Sequence, residues 1–454
     1  MGGEHTVHME NGPIGKTLLA FALPVLLCQL LQEVYNVTDC AVVGRFGGDY
    51  ALAAAGVGGL VLSVCINFFI GFSSGVSVVT SRLFGQRDYG ELKQTMASVF
   101  RLVVFSGAVM TALGVPLARW ALALLRTPEA VLPHAAAYLR VCFAGIAAQL
   151  IYNVGTAVLR SLGDTKTPLV LSAASTVCNL ALDLLFVAGL RWGVAGAAAA
   201  TAVSQWLLAV AILRRLGALD PTYSLGLTGP GLGLRRLGAI LKCGVPAGMQ
   251  AVFMSVSSLL IQVQIDSFGP AAIAGMNLYA KLEGVLYLPT FAFGIALTGF
   301  VGQNLGAGRL DRVRESVRLS RRMMIALVLP AGLALSAACP ILLRLFTDDG
   351  EILSRAVEAV RFNLPFYAVY AVNQVYLGAI KGLGNTAYPM ICTLVCYSLF
   401  RVLWCRLLIP VFDSMRVVYL SYDVSFFLLL AMLLPVYAAM QRRLERAGAL
   451  PRAA

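Results

Sequence analysis

Charge is scarce in this 454-residue sequence. Asp, Glu, Lys and Arg make up 13% of it, about half the share with which a soluble chain covers its surface. Histidine occurs three times, which leaves little for imidazole-based metal or acid–base chemistry. No G-x-x-x-x-G-K-[ST] loop, no G-x-S-x-G elbow and no H-E-x-x-H helix is present, so the common soluble-enzyme readings lack their motifs. The ten cysteines (28, 40, 65, 142, 178, 243, 339, 392, 396 and 405) form no C-x-x-C pair and all lie in apolar stretches. They read as small packing residues rather than disulfides or metal ligands. A cleavable signal is not expected either. The first residues, "MGGEHTVHMENGPIG", are polar, and the apolar run after them is too long for a signal core.

Apolar sequence is what fills the space. Hydrophobic residues reach 59% and mean hydropathy is +0.80. Runs of the roughly 20 residues needed to cross a bilayer recur from end to end. The expected spans are 15–41, 51–79, 94–118, 130–157, 168–189, 193–213, 237–267, 271–300, 318–343, 354–380, 388–411 and 417–440. The chain reads as an all-α polytopic membrane protein with 12 transmembrane helices.

A net charge of +13 suggests nucleic acid until its distribution is followed. Lys and Arg concentrate in "SRLFGQRDYGELK", in "RRLGALDPTYSLGLTGPGLGLRR", in "GRLDRVRESVRLSRR" and in the tail "QRRLERAGALPR". All of these fall on one face of the twelve-span arrangement. Basic residues on one face set orientation and contact anionic lipid. The expected setting is therefore a membrane, with both termini cytoplasmic, membrane lipids as partners and no nucleic acid.

The chain repeats. In "AVLRSLGDTKTP" the residues Gly163, Thr165 and Pro168 recur as Gly384, Thr386 and Pro389 of "GAIKGLGNTAYP", 221 residues on. Arg140 meets Arg361, Asn153 meets Gln374, and Gly85 meets Gly306 at the same shift. Pro24 and Pro246, like Phe46-Gly47 and Phe268-Gly269, pair at 222. Six spans per half bring the chain back to the side it started from. The halves should be six-helix lobes related by a pseudo-twofold axis along the membrane normal. The N-lobe is expected over 1–216 and the C-lobe over 235–454. The Gly- and Pro-rich stretch 217–234 joins them as a cytoplasmic linker. Two such lobes suffice as a monomer.

Polar residues inside the spans locate the chemistry. Asp183 sits in "NLALDLLFVAG" with Asn179 four residues before it, on the same helix face. Thr201, on the next span, approaches if the short "GLRWG" hairpin folds those helices together. In the first span Gln29, Gln32, Glu33, Asn36 and Asp39 share a face about 120° wide. Lipid cannot satisfy such a stripe, so it faces protein or water. If the two helices meet, Asp39, Asn179, Asp183 and Thr201 form a pocket of hard oxygens. Two neighbouring carboxylates away from solvent cannot both stay ionised, so the pocket can take a proton. Its oxygens can equally replace the water shell of Na⁺. The plainer reading is that the aspartates pair with arginine or backbone to hold helices together.

The second half is polar in another way. Asn363, Tyr367, Tyr370 and Gln374 share one helix face, suited either to a flat organic cation or to local packing. Lys281 and Glu283, two residues apart, point in nearly opposite directions. Tyr35, Gln149 and Asn153 complete the candidate cavity residues. Arg401 and Arg406 are charges inside a span with no evident role. Pro24, Pro246, Pro289 and Pro365 fall inside spans, where they either kink helices at flexing points or are tolerated.

The ordered set "EVYNVTDCAVVGRFGG", "LRSLGDTKTP", "NLALDLLFVAGLRWGVAGAAAAT" and "VGQNLGAG" resembles the multidrug and toxic compound extrusion (MATE) transporters, closest to their DinF-like and NorM-like bacterial branches. The resemblance runs through both halves. It implies antiport, with H⁺ or Na⁺ entering through the N-lobe as an amphipathic, often cationic compound leaves, and no organic cofactor. Asp39, Asn179, Asp183 and Thr201 match the family's cation site. Glu33 stands where a neutral glutamine is expected and adds a second protonatable group; the Lys281/Glu283 pair is also unusual. The rival readings are a flippase for a lipid-linked oligosaccharide, a membrane-embedded enzyme and a channel.

Overall fold

The computed structural model describes residues 9–48, 50–226 and 233–448, without the side chains of residues 234, 447 and 448. Residues 227–232 of the expected linker, the first eight residues and the last six of the tail lie outside it. The described residues are helical almost throughout. The first half holds α1 (Ile14–Phe46), α2 (Ala51–Gly85), α3 (Tyr89–Leu124), α4 (Leu132–Ser161), α5 (Lys166–Asp183) and α6 (Gly193–Gly217). The second holds α7 (Leu234–Asp266), α8 (Pro270–Gly306), α9 (Leu310–Leu343), α10 (Gly350–Asn363), α11 (Tyr367–Gly382), α12 (Ala387–Thr393), α13 (Arg401–Phe412) and α14 (Arg416–Gly448).

Among the described residues, eleven unbroken helical segments are long and apolar enough to cross a membrane. The twelfth span is α10 and α11 together, interrupted by the 3₁₀ turn Leu364–Phe366. Pro365 lies in that turn, where its missing N–H removes one rung of the α-helical ladder. Two further irregularities are π-helical turns, at Leu184–Gly189 after α5 and at Leu394–Phe400 between α12 and α13. Apolar side chains stand exposed along the helix flanks, among them Leu113, Leu117, Trp120 and Leu124 on α3 and Leu403, Leu407 and Val411 on α13. Lipid is the medium that accepts such a surface.

The chain forms two compact units. The described part of one is 23–248, and that of the other is 9–22 with 249–448. The chain thus passes between units beside Pro24 and again beside Pro246, the prolines that the repeat pairs. In the first unit α4 is the central helix, packed on α2, α3 and α6. In the second that place belongs to α10 and α11, which pack on α8, α9 and α14. A shift of 221 carries α4 onto α10–α11, so both units are built round their fourth span.

The "GDT" and "GNT" motifs are the same turn twice. Gly163 and Gly384 take φ of +93° and +91°, a left-handed conformation that glycine adopts without strain. Asp164 Oδ1 then accepts the Thr167 N–H at 3.0 Å, and Asn385 Oδ1 accepts the Tyr388 N–H at 3.1 Å. Asp164 does more than its counterpart. It is fully buried and also accepts from Arg215 Nε at 3.2 Å and Nη2 at 3.0 Å. Asp164→Asn keeps the turn but weakens both arginine bonds, so a loss of about 1–3 kcal/mol is expected. Thermal unfolding in detergent measures it, and Arg215→Gln added to Asp164→Asn should cost little more.

Small residues bring backbones into contact inside the first unit. A Cβ built on Gly71 or Gly75 of α2 falls onto the carbonyl oxygen of Ala247 or Cys243 in α7. In return, a Cβ on Gly248 would lie 2.7 Å from the Phe68 carbonyl oxygen. This is the close helix crossing that paired G-x-x-x-G stripes permit. In the second unit, Arg312 of α9 donates to the carbonyls of Met9 (3.1 Å) and Gly12 (3.0 Å), and to Asn304 Oδ1 (3.1 Å). Asn304 Nδ2 also reaches Met9 O at 3.2 Å, so the segment before α1 is tied to α8 and α9. Where the linker begins, Thr222 hydroxyl and N–H bonds to Asp220 hold its exposed carboxyl below the usual range.

Candidate functional site

Three elements of the first unit bring its polar residues together. Asp39 and Tyr35 lie four residues apart on α1, hence on one face. Asn179 and Asp183 close α5, and Asp183 is the last α-helical residue before the π turn. A π turn places one extra residue per turn and re-aims the side chains at its edge. Past it, the chain reverses through Arg191 (φ +55°) and Gly193 (φ +60°). Phe186 stacks on Trp192 at 5.1 Å, and α6 returns along α5 with Thr201 on it. The hairpin expected from "GLRWG" is therefore formed.

Asp183 is 0% and Asn179 1% exposed. Asp39 and Asp183 come within interaction range of each other, which is the juxtaposition the sequence suggests. Both Asp183 oxygens, Asp39 Oδ1 and Asn179 Nδ2 are buried and have no hydrogen-bond partner among the described residues. Among the described residues no arginine bonds to these atoms. Tyr35 donates to Thr201 Oγ1 at 3.1 Å, forming a cross-helix wall beside the pair. Tyr138 and Cys142, on α4, lie within electrostatic reach of Asp39. Neither stands out in the sequence, since tyrosine and cysteine are ordinary residues in an apolar span.

The rest of the α1 stripe is arranged differently. Glu33 and Asn36 are exposed, and Glu33 stands about 120° round the helix from Asp39. Gln149 and Asn153 are half-buried on α4, and Asn153 Nδ2 lacks a partner among the described residues. No group of three or more His, Cys, Asp or Glu side chains arranged to hold a metal is found among the described residues. A Na⁺ ion would have to draw on Asn179 and Thr201 as well as the carboxylates.

In the second unit the expected residues do gather. Tyr367 and Tyr370 pack at 4.9 Å between ring centroids, and Gln374 Nε2 donates to Tyr370 Oη at 2.8 Å. Asn363 is fully buried with neither amide atom bonded among the described residues. Glu283 turns inward toward the Tyr279 and Tyr367 hydroxyls, whereas Lys281 is exposed, as their spacing requires. Arg406 is exposed, but Arg401 points into an aromatic cluster with Tyr397, Tyr422 and Phe426. Asp423 also lies in that unit, 5% exposed. Its signal in the sequence is the same as that of Asp183: a lone carboxylate in an apolar run, "YLSYDVSFFLLL".

Against this geometry, a family model described as MatE matches residues 24–185 and again residues 246–407. The two matches open on the repeat-paired prolines. The chain belongs to the MATE family. A probable multidrug resistance protein, YpnP of Bacillus subtilis (strain 168), is 29% identical over 392 residues, spanning 86% of this chain and 87% of that protein. A probable multidrug resistance protein NorM of Thermotoga maritima is 26% identical, over 85% of this chain and 84% of its own. Among solved structures, a multidrug resistance MATE family transporter in an outward-facing conformation superposes with a TM-score of 0.88 at 20% identity. That match covers 98% of this chain and 99% of the other. This MATE protein is accordingly a multi-pass membrane transporter with the twofold-repeated helical fold of its family.

Proposed function

We propose that this MATE protein is a secondary antiporter in which Asp39 and Asp183, with Asn179 and Thr201, bind the coupling ion. The observation that carries the reading is the Asp39–Asp183 pair, in which both Asp183 oxygens and Asp39 Oδ1 are buried without a hydrogen-bond partner among the described residues. Two such groups side by side hold one negative charge more readily than two, so the site takes up a proton, or Na⁺, and releases it. Glu33 and Asn36, on the exposed part of the stripe, lie on the ion's route to the pair. The cargo is an amphipathic organic cation. It is held by Tyr35, Gln149 and Asn153 in the N-lobe (1–216), and by Glu283, Asn363, Tyr367, Tyr370 and Gln374 in the C-lobe (235–454), with Lys281 at the rim.

Each lobe alternates its access with the linker 217–234 as tether, and the gradient acts through the ion's different affinity for the two states. The setting is a prokaryotic plasma membrane with both termini cytoplasmic, and a monomer is sufficient. The test is efflux of a fluorescent cationic dye from proteoliposomes under a Na⁺ gradient or a pH gradient, imposed separately. Dye movement driven by one gradient alone names the ion. No movement under either, from folded protein, favours a flippase for lipid-linked oligosaccharide.

A further inference from the structure

An open cavity of about 720 Å³ lies at the end of the second unit where α14 begins. Every residue lining it belongs to that unit. One wall is α10. Its Leu353, Ser354, Val357, Glu358 and Arg361 recur at the three- and four-residue spacing of a single helix face. The other face of α10, with Ala356, Ala359 and Val360, is buried in the core. Pro340 of α9 and Arg416 of α14 line the sides.

Three charges line the cavity, and only two of them answer each other. Glu358 accepts from Arg416 Nε at 2.8 Å. Arg361 has the Cys339 thiol beside it but makes no ion pair among the described residues. Two arginines and one glutamate therefore leave one positive charge uncompensated. Apolar side chains stand exposed at the same end. Ile341, Leu345 (79% exposed) and Phe346 lie where α9 runs out, and Val411 (70% exposed) and Phe412 just before the turn into α14. Lipid accepts such a surface and water does not, so the cavity opens at the edge of the membrane.

An occupant that matches this lining carries a negative charge, has an apolar part and arrives from the membrane. A soluble anion leaves Pro340, Leu353 and Val357 wet, and an organic cation meets net repulsion. We propose that the cavity binds an anionic phospholipid, its phosphate on Arg361 and its glycerol and upper acyl chains against Pro340, Leu353 and Val357. A guanidinium holds a phosphodiester through paired, charge-assisted hydrogen bonds. The volume lies within the roughly 300–1,000 Å³ of cavities that hold small molecules, which suits a headgroup and the first part of its chains. Arg361 precedes the 3₁₀ break at Leu364–Phe366, so a lipid held there restrains the α10 half of the broken span. The site is argued from the second unit alone and is independent of the Asp39–Asp183 pair.

Native mass spectrometry of the full-length protein in detergent, titrated with phosphatidylglycerol, tests this. The first phosphatidylglycerol is expected to bind about fivefold more tightly than phosphatidylcholine, which carries no net charge. Arg361→Gln should abolish that preference. Arg344→Gln removes an exposed arginine at the same end but outside the cavity, and should leave it intact. Glu358→Gln frees Arg416 for the phosphate, so binding should tighten about fivefold, which loss of a merely structural ion pair would not do. Leu353→Trp fills the apolar part and should weaken binding with every charge kept. It decides the case if Arg361→Gln does not fold. Glycerol phosphate should not displace the lipid; displacement would mark a site for soluble anions and overturn the proposal. Equal losses in Arg344→Gln and Arg361→Gln would mean general attraction of anionic lipid to basic residues, and overturn it as well.

Discussion

Proteoliposomes carrying Asp39→Asn or Asp183→Asn are expected to move dye no faster than protein-free vesicles, under either a Na⁺ or a pH gradient. The substitution is nearly isosteric, so the helix contacts round Tyr35 and Thr201 are kept. What is lost is the ability of the site to change charge. A gradient does work only through an ion bound differently in the two states, and an amide pairs with neither H⁺ nor Na⁺ as a carboxylate does. The energy at stake is about 1.4 kcal/mol per proton for each unit of pH difference, all of it forfeited if the proton has no site. Stability should move the other way. An amide N–H adds a donor beside atoms that have no hydrogen-bond partner among the described residues, so thermal unfolding in detergent should be unchanged or higher. Normal transport by both variants would sink the assignment of this pair, whereas normal melting with no transport would support it.

The second large effect is expected at Gly71 and Gly75. Replacing either by leucine puts side-chain carbon where the α7 backbone runs. Backbone atoms cannot rotate aside as a side chain can, so α2 and the first part of α7 must separate. Overpacking in a core that can adjust costs about 1–3 kcal/mol, and here the loss should lie at or beyond that upper end. Thermal unfolding and the monodispersity of the purified protein measure it. The same helix supplies the control. At Gly56 and Gly59 an added methyl group would meet open space, with nothing within 4 Å. Alanine at either should be neutral, or should add up to about 1 kcal/mol through helix propensity. Equal losses at all four positions would mean that the glycines matter for helix flexibility rather than for close approach.

Much of this fold can be read from the sequence because membrane helices announce themselves by length and composition, and because the repeat checks itself. The Gly163/Gly384 pairing points to a shared turn, and both glycines take the same positive φ. The Asp39–Asp183 meeting is legible for a physical reason: a carboxylate in hydrocarbon needs company, and only a few residues offer it. Less is visible where backbone departs from the α-helix. A sequence read at 100° per residue assumes one ladder throughout, and the π turn after Asp183 and the 3₁₀ break at Leu364–Phe366 both violate it. Periodicity makes the stripe on α1 a single surface, but its two edges have different surroundings, so Asp39 is turned inward while Glu33 is exposed. Arg401 is anomalous in the sequence because its neighbours Tyr422 and Ser425 come from another helix, more than twenty residues on. No periodicity links such residues.

The tie between Arg312 and the segment before α1 bears on how the protein is made. Met9 and Gly12 leave the ribosome well before the side chains that donate to their carbonyls, Asn304 and Arg312, which follow 295 and 300 residues later. At about 5–20 residues per second, roughly 15–60 s of synthesis separates the two partners. Over that interval the segment 9–12 lacks these two partners, and the second unit is completed only when this earlier piece meets the later ones.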